Sequence, residues 1–103
     1  MSDRFNFRGQ EISYQWNWLD NNTFIFQFGD GEFIDLESEY FIHFEYHTED
    51  NEWIIEIWWE DDSINVNELD KCDADKYITE KEIEKVKEFI KQFMDWNQDF
   101  KTL

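Results

Sequence analysis

The chain has 103 residues, a formal net charge of −17, 41% hydrophobic and 20% aromatic residues. That length holds one core and not two, and so much aromatic area excludes a disordered acidic tail. The charge argues against a direct grip on nucleic acid, whose phosphates would repel it. The lone Cys72 cannot form an internal disulfide, so a reducing cytoplasm is the expected compartment.

MSDRFNFRGQ carries no apolar run of the kind a signal peptide needs, and no stretch approaches the ~20 apolar residues of a membrane span. No membrane partner is therefore expected. RFNFR reads as a short edge strand. In EISYQWNW, residues 11 to 18, apolar Ile12, Tyr14, Trp16 and Trp18 alternate with polar positions, the period of a strand with one buried face. LDNN is a turn, TFIFQF puts Phe24, Phe26 and Phe28 on one face, GDGE turns again, and FIDLE is a short strand. EYFIHFEYH and EWIIEIWWE, joined by TEDN, form the strongest hairpin. Its inner face is Tyr40, Ile42, Phe44 and Tyr46 against Trp53, Ile55, Ile57 and Trp59. Its outer face is Phe41, His43, Glu45 and His47 beside Glu52, Ile54, Glu56, Trp58 and Glu60.

Residues 61–78 read as a long acidic loop. Thr79 and Glu82 then make a capping box, and Ile83, Val86, Phe89, Ile90, Phe93 and Phe100 share one face of a helix over 79–100. The predicted fold is α+β: a twisted antiparallel meander of about five strands over residues 4–60, with one C-terminal helix packed on one face. All 103 residues are read as a single domain.

Charge is unevenly placed. From Gly9 to Asp70 there are 17 acids in 62 residues and no Lys or Arg, whereas Glu80 to Leu103 holds six acids and five lysines. The surface that meets a partner is therefore expected on the sheet and not on the helix.

Motifs for chemistry are weak. KCDADKYITEKEI sets Asp73, Asp75, Ile78, Thr79 and Glu82 at calcium-loop positions, but Lys71 and Lys76 occupy the first-ligand and glycine positions. A capping box after a solvated loop is the preferred reading. His43 and His47, four apart on a strand, lie about 13 Å apart, too far for one metal ion, and are read as outward-facing surface histidines. Acidic neighbours discourage a thiolate at Cys72. No catalytic residue, metal or cofactor is assigned.

What remains is binding. A rigid fold that displays many carboxylates and few cations can occupy a groove built for the phosphates of nucleic acid. In size, charge and architecture the chain resembles two classes of protein. One is the small acidic inhibitors of host defence carried by phages and mobile elements, of anti-CRISPR and anti-restriction type. The other is the immunity proteins that plug a toxin nuclease. The resemblance implies a stoichiometric, non-enzymatic inhibitor, acting in the host cytoplasm if phage-encoded, whose partner is a basic nucleic-acid-binding protein or nuclease. An acidic protein-interaction domain without mimicry is the bland alternative. Monomer and homodimer both remain open. The expected partner-binding residues are Glu45, Glu52, Glu56, Trp58, Glu60, Asp61 and Asp62. Trp58 is either an aromatic anchor among these acids or covered by the loop or a further strand.

Overall fold

The structure is a computed structural model that describes residues 4–29, 40–59 and 62–96, with the backbone alone at Trp96. The chain begins with a small hairpin, β1 (Asn6–Phe7) and β2 (Gln10–Glu11), closed by Arg8 and Gly9 at φ of 53° and 78°. Two positive φ values match the twist of a two-residue hairpin turn, and glycine adopts one without a Cβ penalty. This hairpin forms its own two-stranded sheet, so RFNFR is not the edge strand that its composition suggests.

The main sheet is a meander of five antiparallel strands in chain order: β3 (Tyr14–Asp20), β4 (Thr23–Gly29), β5 (Phe41–His47), β6 (Glu52–Trp58) and β7 (Ser63–Asn65). The predicted strand FIDLE lies outside the described residues. Register follows the alternation: Trp16 pairs with Phe26, Phe26 with Phe44, and Phe44 with Ile55, so every large inner side chain falls on one face. Gly29 is required where β4 meets β5, because a Cβ there would stand 2.9 Å from that of Phe41.

The described part of the predicted loop, residues 62–78, is not one long loop. Beyond β7 the chain makes a 3-10 turn (Val66–Glu68) and a short helix, α1 (Lys71–Tyr77). Asp73 in the first turn and Lys76 in the last complement its dipole. The calcium-loop likeness fails here, because Asp73 and Asp75 are two residues apart on a helix and diverge. Trp59 packs edge-on against Tyr77 of α1, with ring centroids 5.8 Å apart.

The C-terminal helix, α2 (Glu80–Trp96), opens on the capping box as predicted: Thr79 N–H donates to Glu82 Oε1 at 2.9 Å, and Glu82 N–H donates to Thr79 Oγ1 at 3.2 Å. Residues 97–100 of the predicted helix, including Phe100, lie outside the description. Val86, Ile90, Phe93 and Met94 are buried against Phe5, Trp18, Phe24, Phe26, Phe28, Ile42 and Phe44. Arg8 ties hairpin to helices. Its guanidinium donates twice to Glu82 at 2.7 and 2.9 Å, and to the carbonyls of Asp75 and Lys76 at the end of α1. Both the Arg8 bond and the Thr79 cap favour the ionised carboxylate, and they hold Glu82 below the usual carboxylate range.

Candidate partner-binding face

With α2 on the inner face, the outward positions of β3 to β7 form the other side of the sheet. Across it run Gln15, Gln27, His43, Glu56 and Asn65 in one row. On either side of that row lie Phe41 with Trp58, and Ile25 with Glu45 and Ile54. Between Gly9 and Asp70 the sequence has no Lys or Arg, so none of these strands carries a cation of its own. Among the described residues Arg4 and Arg8 sit instead at the N-terminal hairpin, and Lys71, Lys76, Lys81, Lys85, Lys87 and Lys91 on the helices.

The face is organised around a histidine. His43, expected at the surface, is only 4% exposed. Gln15 Nε2 donates to Gln27 Oε1 at 2.9 Å, and Gln27 Nε2 donates to His43 Nδ1 at 2.7 Å. Nδ1 is thereby the acceptor, which leaves Nε2–H to face Glu45 Oε1 at 3.5 Å. Burial disfavours the charged ring and pushes the His43 pKa down, against the opposing pull of Glu45 and Glu56. His47 Nε2 donates to the second oxygen of the Glu45 carboxylate at 2.6 Å. The two histidines are thus bridged by a carboxylate midway between them, where spacing alone gave only a separation.

Trp58 is not free, and among the described residues no further strand roofs it. Its ring lies on that of His43, with centroids 4.5 Å apart and planes at 19°, and Phe41 flanks it at 5.7 Å. Its Nε1–H donates to Glu56 Oε1 at 3.1 Å. β7 pairs beside it, Trp58 opposite Ser63.

The expected acids divide accordingly. Glu52 and Asp62 are exposed, and Asp62 also accepts the Ser63 N–H at 2.8 Å. Glu56 is half-buried and holds the indole. Glu45, 23% exposed, is committed to the two histidines and is a bracing group more than a free charge. Glu60 and Asp61 lie outside the described residues. His43, Gln27 and Phe41 belong to the face although they were not expected to serve it.

Compared with known proteins, the chain matches no family model, no curated protein and no solved structure. Among the described residues no helix is long and apolar enough to cross a membrane, and no group of three or more His, Cys, Asp or Glu could hold a metal ion.

A depressed histidine pKa has a sign. The unfolded chain takes a proton near the ordinary 6.5 while the folded chain resists it. The stability this burial carries is present above that pH and is lost as pH falls toward the folded pKa, by about 1.4 kcal/mol per unit of depression. Lower pH also relieves the self-repulsion of the acids, so the contribution must be read as a difference. Wild type should lose stability relative to His43→Gln between pH 7 and 5, measured by urea unfolding at each pH and taken as about those limits. Parallel curves would place His43 in an environment that tolerates charge.

Proposed function

We propose that this protein is a stoichiometric inhibitor whose outer sheet face docks on a basic nucleic-acid-binding protein and excludes its nucleic acid. One observation carries the reading: a broad sheet face with no Lys or Arg in its strands, acids at Glu52 and Glu56, exposed Asp62 at the β6–β7 turn on its rim, and the apolar groups Trp58, Phe41 and Ile54 between the two strand acids. Charge would steer the encounter and the aromatics would supply contact energy.

The mimicry is of sign and field, not of phosphate spacing. Glu52 and Glu56, four residues apart on one strand, stand about 13 Å apart, whereas one DNA strand places a charge every ~3.4 Å of axis. A net charge of −17 on a chain with a radius of gyration of 13.5 Å still makes a field that a basic cleft would sense before contact. An inhibitor of host defence and an immunity protein share this chemistry. The partner separates them, being a Cas effector or restriction enzyme in one case and a toxin nuclease in the other.

The test is competition. A partner captured from the host and purified should bind one copy of this protein and release bound duplex DNA in proportion, without turnover. A stable ternary complex of partner, DNA and this protein would overturn occlusion.

A further inference from the structure

Two aromatic rings elsewhere in this chain are met by its own cations: Arg8 stands 5.2 Å from the Phe7 centroid and Lys87 5.6 Å from that of Trp53. Trp58 lies on a face whose strands have none. It is also the upper of two stacked rings. His43 beneath is 4% exposed, whereas Trp58 remains partly exposed, so the indole covers the imidazole and keeps part of its own surface accessible.

The stack is rigidly held. Gln27 and Glu45 fix the imidazole, and the Nε1–H bond to Glu56 Oε1 fixes the rotation of the indole. That bond engages one carboxylate oxygen and so brings the Glu56 carboxylate to the rim of the ring. A π-face with a carboxylate oxygen at its rim is matched by a group that is flat, cationic and able to stack and donate at once. Guanidinium is such a group. Ammonium is compact and strongly hydrated, and it can offer charge but not stacking.

Resting on the docking role proposed above, we propose that Trp58 and Glu56 form an arginine receptor, in which a partner's guanidinium stacks on the indole and donates to Glu56. The face thereby discriminates arginine from lysine at one point, while the surrounding acids attract any cation. Neutral His43 suits this role, because a charged ring under the indole would oppose the cation above it.

The experiment uses two capped peptides of equal charge, three arginines alternating with glycines and the lysine counterpart. Binding is followed by NMR at the indole N–H of Trp58, assigned through Trp58→Phe, and in every variant at the backbone amides of Glu56 and Ile57, which the substitutions retain. The arginine peptide should bind about three- to fivefold tighter at that resonance, the gain expected of a partly exposed cation–ring contact. Trp58→Leu should abolish the preference, weakening the arginine peptide more than the lysine peptide, whose ammonium groups lose only a cation–ring contact. Trp58→Phe, which keeps a ring, should retain part of the preference and serves if the leucine variant does not fold. Equal affinity of both peptides for wild type, or a preference that survives in Trp58→Leu, overturns the receptor and leaves the acidic docking face standing. If neither peptide binds anywhere on the sheet face, the docking face fails with it.

Discussion

Replacing Phe26 with alanine should cost about 3–5 kcal/mol, the range for emptying a buried aromatic site. Phe26 is 0% exposed, and its ring lies between 5.2 and 6.3 Å from those of Phe5, Tyr14, Phe28, Phe89 and Phe93. It is the side chain at which the N-terminal hairpin, the sheet and α2 meet. Domains of this size have about 5–15 kcal/mol in hand, and repulsion among the acids draws this one toward the lower end. Urea unfolding should show a large fall in midpoint at unchanged slope. Leu19→Ala, at a side chain 58% exposed, should shift the midpoint little. Comparable losses at the two sites would mean that the core is not where the rings converge.

The second large effect is on binding. Changing Glu52, Glu56 and Asp62 together to lysine turns the cation-free face basic at two points and its rim at a third, and affinity for a basic partner should fall on the order of 100-fold or more, about 2.8 kcal/mol. The same charge change on α2, at exposed Glu84, Glu88 and Asp95, should cost far less, because those positions lie on the side of the sheet that holds the chain's own cations. The helix variant changes only exposed charges, which usually costs little stability; the sheet variant also gives up the bond of half-buried Glu56 to the indole, so circular dichroism must show both folded before affinities are compared. If the helix variant loses the partner and the sheet variant keeps it, the working surface has been placed on the wrong side of the molecule.

The sheet and α2 were legible because strong periodicity specifies them. Three phenylalanines at alternate positions of β4 have one way to be buried, and the four-residue turn TEDN fixes the β5–β6 register that brings Phe44 opposite Ile55. The capping box at Thr79 and Glu82 marks the start of α2 by a local bond pair that needs no tertiary context. β7 and α1 were not legible. A three-residue strand and a seven-residue helix whose apolar side is little more than Ala74 and Tyr77 are too short for periodicity to register.

The candidate face was legible in parity but not in environment. Alternation places His43 and Trp58 outward, yet the burial of His43 depends on a diagonal neighbour on β6 and an amide on β4. The commitment of Glu45 could have been read, because a carboxylate two residues from each of two histidines shares their side of the strand.

The most direct test of charge-steered docking is the salt dependence of the dissociation constant for the captured partner. Raising salt from about 0.05 to 0.5 M shortens the Debye length from over 10 Å to a few ångströms. The dissociation constant should rise steeply over that range, while the melting temperature of the free protein rises as its self-repulsion is screened, so that weaker binding cannot be put down to unfolding. A dissociation constant that stays nearly constant would contradict the account and assign the interface to the aromatic groups alone.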